Sequence, residues 1–141
     1  MTQILGLSVS TADASGVGPV WQVRNPREVP RNLLVQAAFS TGSANGTNVF
    51  GYVQTSLDRT NWIDIAAFQF ATASTSRVAN LSALTPVTSV YSPTNAALSS
   101  TTVKDGILGS HYRVSWVSSG GYVGATMSIN AEGLELIASG S

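Results

Sequence analysis

Two carboxylates around one tryptophan have the spacing closest to a catalytic pair. Asp58 and Asp64 flank Trp62 in the stretch SLDRTNWID, and two acidic side chains beside a sugar site are what a glycosidase uses to cleave a glycosidic bond. A turn explains Asp58 as well, because its side chain can accept hydrogen bonds from the backbone two residues on. Asp64 lies between Ile63 and Ile65, so strand alternation turns it outward. We therefore expect both carboxylates to be structural.

The other residues that could do chemistry lack the partners it requires. His111 is the single histidine and the chain has no cysteine, so no ligand set for a metal can be assembled around it. A strand-entry histidine with a backbone partner is the simpler interpretation. No Gly-x-Ser-x-Gly elbow accompanies it, and Gly16-Val17-Gly18 is not followed by a helix that could hold a phosphate. The sequence therefore predicts no enzyme, no metal site and no cofactor.

Composition limits the class of partner. Seven Lys and Arg balance seven Asp and Glu, and charged residues make up 10% of the 141 residues. No overall field would steer this chain to nucleic acid or to an acidic membrane surface. Gly, Ser, Thr and Asn interrupt every apolar run, so no window reaches the roughly 20 residues of a membrane helix. We expect one domain that binds neither nucleic acid nor membrane.

The elements that must position these residues are strands. Short stretches rich in β-branched and aromatic residues recur between turn clusters, and none carries a capped helical stripe. This pattern predicts an all-β protein, an antiparallel β-sandwich that is jelly-roll or immunoglobulin-like. The first 19 residues are small and polar and predict an extended N-terminal arm, followed by the sandwich domain over 20–141. The segment 85–105 predicts a long excursion. The predicted strands cover residues 20–23, 33–39, 49–57, 61–70 and 76–84, and an alternating run over 112–136 is divided into two more strands by a turn at 118–121.

Arginines supply the candidate contact residues. Arg24, Arg27 and Arg31 fall in RNPREVPRN, a loop with a single acid, Glu28. The loop could be simply solvated, or it could dock onto an acidic partner surface, where Arg forms bidentate pairs with carboxylates.

Aromatic residues leave a second pair of interpretations open. Tryptophan and tyrosine rings can form a platform for sugars, or they can fill the core of the sandwich. We favour the core. The residues concerned are Trp21, Trp62, Trp116, Tyr52, Tyr91, Tyr112 and Tyr122.

The run YVQTSLDRTNWIDIAAFQF, a strand, a Ser-Leu-Asp-x-x-x-Trp turn and a second strand, resembles a segment of small structural proteins of tailed bacteriophages. In those proteins the turn often carries Gly where this chain has Arg59, which makes Arg59 a fourth candidate contact residue.

This resemblance implies a virion component, most plausibly a capsid decoration or minor head protein. Such a protein binds the major capsid protein or other virion proteins, acts as a homo-oligomer, often a trimer, and stabilises the shell. It would be assembled in the host cytoplasm and located in the virion. The alternative is a carbohydrate-binding or adhesive β-sandwich module of a phage fibre, spike or neck, with a glycan as ligand.

Overall fold

The structure is a computed structural model that describes residues 2–9, 14–24, 32–84, 86, 88–90, 92–133 and 136–138. Ten strands form two antiparallel sheets, and the described residues contain no helix. The predicted all-β sandwich is confirmed. The strands are β1 Thr2–Val9, β2 Ala14–Val17, β3 Trp21–Val23, β4 Asn32–Ser40, β5 Asn48–Ser56, β6 Ile63–Phe70, β7 Thr75–Ser82, β8 His111–Ser119, β9 Ala125–Glu132 and β10 Leu136–Ala138.

The chain passes repeatedly from one sheet to the other. The four-stranded sheet has the order β1-β9-β4-β7, and the six-stranded sheet has the order β10-β3-β8-β5-β6, with β2 also paired to β8. Among the described strands, β5 and β6 are the one pair that is consecutive in sequence and hydrogen-bonded. Every other ladder joins segments that are distant in sequence.

Alternating apolar residues form the core between the sheets. β4 is the clearest case, because Leu33, Val35, Ala37 and Phe39 are buried while the residues between them are more exposed. Phe39 stacks on Phe70 of the opposite sheet with ring centroids 5.4 Å apart. This period of two is what one dry face of a sheet requires.

The described part of residues 1–19, which the sequence predicted as an arm outside the sandwich, forms strands that pair within the same chain. β1 pairs with β9 and β2 pairs with β8. Ile4 and Leu5 are 1% and 5% exposed, so this segment contributes to the core. A register shift between Gln3 and Leu5 lets two consecutive apolar residues be buried, which explains why simple alternation did not reveal a strand.

The free edge of β6 is covered by residues 92–105, here named the covering loop. The Ala67 amide donates to the Thr102 carbonyl, and the Ala67 carbonyl accepts from the Thr101 amide, both at 3.0 Å. The Lys104 amide donates to the Ile65 carbonyl at 2.8 Å. The described part of the predicted excursion therefore returns to the sandwich and blocks an edge that could otherwise pair with another chain.

Candidate functional site

The tip of the β5–β6 hairpin is held in one shape by its own side chains. One carboxylate oxygen of Asp58 accepts the amides of Thr60 and Asn61 at 2.9 and 2.8 Å, and the other accepts the Asn61 side-chain amide at 2.7 Å. The Ser56 hydroxyl accepts the Arg59 amide at 2.9 Å. The Asn61 and Thr60 amides hold the pKa of Asp58 well below its usual range. The turn interpretation of Asp58 is confirmed.

Arg59 lies at this tip in a left-handed backbone conformation, with φ of 64°. Only glycine adopts this region without a steric cost, which is about 1–2 kcal/mol for other residues. The geometry explains why glycine would be easier at this position. The fixed turn keeps the arginine side chain at an exposed position.

An apolar pocket opens beside the tip. Its volume is about 220 Å³, and its walls come from the end of β5, the start of β6 and residues 106–109. Leu57 lines the pocket and is 78% exposed. Sequence reasoning missed Leu57, although a large apolar residue inside a polar turn was a usable signal.

Strand register brings two of the four candidate arginines to one end of the six-stranded sheet. Gln22 of β3 and Ser56 of β5 both pair with His111 of β8, from opposite sides. Arg24 follows β3 directly and Arg59 follows β5 by a short distance, and both are exposed. This end of the sheet, with Arg24, His111, Arg59, Leu57 and the pocket, is named the arginine end.

His111 begins β8, as the strand-entry interpretation predicted. Its Nδ1 lies 2.9 Å from the Ser110 hydroxyl. Burial, and then the positive charge of Arg59, lower the pKa of His111. The imidazole therefore favours its neutral form.

Arg27 and Arg31 lie outside the described residues. The prediction of a docking loop over RNPREVPRN therefore stays a prediction for these two, while Arg24 is placed at the arginine end.

Asp64 is buried and anchors the covering loop. Its carboxylate accepts the amides of Ala96 and Ala97 at 2.9 Å and of Leu98 at 3.1 Å, and the side-chain amide of Gln54 at 2.7 Å. Burial alone would raise the pKa of Asp64, but these hydrogen bonds outweigh it and lower the pKa. A buried carboxylate without such partners would cost several kcal/mol.

The prediction that Asp64 turns outward is correct about the face of the sheet on which its side chain lies. It is wrong about solvent exposure, because the side chain is buried. Asp64 pairs with Gln54 on the face that points away from the other sheet, yet it is 1% exposed because the covering loop lies over it. Gln54 extends the network, since its carbonyl oxygen accepts the Arg113 Nε at 2.8 Å. Arg113 in turn lies over the Trp62 ring, 4.3 Å from its centroid. Both carboxylates of the Asp58–Asp64 pair accept backbone amides and hold local structure.

The described aromatic side chains are all buried or half-buried. None of them is exposed, and Tyr91 lies outside the described residues. The core role is confirmed for Tyr112 and Tyr122, and Trp21 and Trp116 pack against the core, whereas Tyr52 and Trp62 are buried outside the core cluster. Trp62, Tyr52, Tyr112 and Tyr122 are buried, and Trp21 and Trp116 are half-buried.

Two further features bear on the site. Among the described residues, no three His, Cys, Asp or Glu side chains come together as a metal ion would require. The same part of the chain has no helix whose length and apolar character would let it span a membrane.

Comparisons of the chain with protein-family models, with curated proteins and with solved structures find no match. Function must therefore be argued from the residues and geometry of the arginine end.

Proposed function

We propose that the protein is a structural component of a bacteriophage virion, a capsid decoration or minor head protein that binds the shell through its arginine end. One observation carries the proposal. The hairpin that resembles phage structural proteins is also the element whose tip is rigid and presents Leu57 and Arg59 at exposed positions. The protein acts by binding, as a homo-oligomer, and its place is the virion, after assembly in the host cytoplasm.

The chemistry of the arginine end favours an acidic protein surface with an apolar depression. Arg24 and Arg59 lie on either side of His111 across neighbouring strands. Strands in a sheet are about 4.8 Å apart, so the two arginines can bind carboxylates on one partner surface. Leu57 can enter an apolar site between them. The major capsid protein, or another virion protein, is the partner proposed.

Rigidity of the tip favours binding. Asp58 and Ser56 fix the backbone of the turn before any contact is made, so little backbone entropy is lost on docking. Full burial of the Leu57 side chain would contribute about 1.5–3 kcal/mol. The same contact repeated over a symmetric shell would resist separation of the capsid subunits.

The test uses capsids that lack this protein. Labelled wild-type protein is titrated onto them, and bound protein is measured after sedimentation of the particles. We expect saturable binding that weakens as salt is added, because the arginine contacts are screened. Absence of saturable binding would overturn the proposed function.

Two variants address the arginine end. Arg59→Gly removes the charged side chain and suits the positive φ, so folding is preserved. Leu57→Ser removes the exposed apolar group. Each should weaken capsid binding about tenfold, which corresponds to about 1.4 kcal/mol.

The matched control is Val123→Ser. Val123 is 52% exposed and forms an isolated β-bridge with Ala44. It lies near the opposite end of the sandwich, where β8 ends at Ser119. It should bind as wild type does. Equal binding by all three variants and wild type would show that the arginine end is not the contact surface.

A further inference from the structure

The outer edge of β7 carries backbone groups with no partner in the described part of the chain. The Ser82 amide donates to the Asp105 carboxylate at 2.6 Å, and the Ser82 carbonyl accepts the Gly106 amide at 2.9 Å. Both groups of Ser82 therefore point away from β4. In an antiparallel ladder, the backbone amide and carbonyl of successive residues point alternately toward the partner strand and away from it. The β4–β7 register is unbroken, so this alternation holds along all of β7. The amides and carbonyls of Ser76, Val78 and Asn80 consequently point away from β4 as well.

This open edge contrasts with the covered edge beside it. The covering loop occupies the edge of β6 in the six-stranded sheet, whereas residues 105–106 reach only the last residue of β7. β7 is eight residues long, contains no proline and has one charge, that of Arg77. Long edges without such protection pair readily with another strand.

We propose that β7 pairs antiparallel with β7 of a second copy of this chain, around a twofold axis at Val78. The axis places Val78 opposite Val78 of the second copy and Ser76 opposite Asn80 of the second copy. Every outward amide and carbonyl of these three residues then has a partner. The contact joins two four-stranded sheets into one continuous sheet.

The two neighbouring registers are less favourable. An axis at Arg77 would place two guanidinium groups directly opposite each other, and like charges in that position are destabilising. An axis at Ala79 would pair Ser76 with Ser82, whose amide and carbonyl are already bound to Asp105 and Gly106. The Val78 register avoids both problems.

Side chains on both faces of the edge fit a second copy. Val78 is 63% exposed on the outer face and would be covered by its equivalent. On the inner face, a groove of about 150 Å³ lies between β6, β7 and residues 101–103. In the Val78 register, Arg77 of the second copy lies on the same face of the sheet as that groove, where Val103 is 46% exposed. A twofold contact of this kind is closed, and the same surface serves both chains.

This inference is independent of the proposed capsid binding, and it predicts a twofold contact instead of the trimer implied by the resemblance. The first experiment is sedimentation equilibrium of the wild type and of Val78→Lys. We expect two chains per particle for the wild type. The variant should give one chain with an unchanged far-ultraviolet circular dichroism spectrum, because two lysines would face each other across the axis. A wild type that is monomeric at its highest soluble concentration, or trimeric, would overturn the proposal.

A second experiment applies if Val78→Lys does not fold. The chain has no cysteine, so Val78→Cys introduces a single thiol. Directly opposite residues in a hydrogen-bonded pair have Cα atoms about 5.5 Å apart, within the range for a disulfide. Under mild oxidation, Val78→Cys should form a disulfide-linked dimer at least tenfold faster than the control Val123→Cys, whose position is similarly exposed. Equal rates would refute the twofold contact at Val78.

Discussion

Replacing Asp64 by Asn keeps the volume of the side chain and removes one acceptor oxygen from a buried site that binds four amide groups and the Thr94 side chain. The Gln54 and Ala96 groups donate to one oxygen, and the Ala97 and Leu98 amides donate to the other. In either orientation of the asparagine, its NH₂ group faces two amide donors and cannot accept a hydrogen bond from them. We expect the covering loop to detach from β6 near residues 94–98.

The structure sets the magnitude of this effect. Each buried donor left without an acceptor costs about 1–3 kcal/mol. Gln54 cannot readily turn to adapt, because its carbonyl oxygen is bound to Arg113. Two such losses, partly relieved when the loop moves into water, predict that Asp64→Asn lowers the free energy of unfolding by about 3 kcal/mol.

The pH dependence follows from the lowered pKa of Asp64. The carboxylate stabilises the folded state above its unfolded pKa of about 3.9, and this stabilisation is lost as the pH falls through the lower folded pKa. Wild type should therefore lose stability in acid, and Asp64→Asn should lack that part of the loss.

Urea unfolding followed by tryptophan fluorescence measures stability, and trypsin cleavage after Lys104 under native conditions reports detachment of the covering loop. Glu132→Gln is the control, because Glu132 is exposed on the other sheet and should change stability by less than about 0.5 kcal/mol. If Asp64→Asn unfolds at the wild-type urea concentration and is cleaved at the wild-type rate, Asp64 does not hold the loop.

Three further predictions concern other parts of the fold. Tyr112→Phe should raise the free energy of unfolding by about 1 kcal/mol, because the buried Tyr112 hydroxyl makes no well-formed hydrogen bond and the Thr55 hydroxyl near it is already bound to His111 and Gly109; a loss of stability in urea unfolding would contradict this. Gly42→Ala should destabilise strongly, since its Cβ would lie 1.8 Å from a carbonyl oxygen, whereas Gly121→Ala, with nothing within 4 Å, should be tolerated; similar melting temperatures for both would be inconsistent with the packing. Wild type should lose stability as the pH falls below about 6.5, because burial and Arg59 lower the folded pKa of His111. Arg59→Gly should raise the pKa of His111 in an NMR titration. An unchanged pKa would show that the charge of Arg59 does not act on His111.

Local pattern was enough to predict seven of the strands and the sandwich they form. β4 alternates strictly, and the turn chemistry of Asp58 is a local property of a few residues. β1 was not recognised, because a register shift next to Ile4 breaks the period of two. β2 and β10 were not recognised either.

Contacts between distant parts of the chain determine the features of the candidate site that the sequence did not predict. The face on which Asp64 lies follows from alternation, but its burial depends on amides more than 30 residues later in the chain. Arg24 and Arg59 likewise come to the same end of the sheet only through β8, which begins at His111 and lies between their strands. No local signal specifies which distant segment will lie between or over such residues.

The order of the strands also has a consequence for how the chain can fold. β5 and β6 can form their hairpin as soon as both exist, but β5 finds its other partner in residues 111–119, and β6 is covered by residues 92–105. High contact order of this kind slows folding, to milliseconds or seconds in all-β domains. During synthesis the edge of β6 would stay bare until residues 92–105 leave the ribosome, and the edge of β5 until residue 119 does. That interval, and not the finished sandwich, is when this hairpin is most exposed to aggregation.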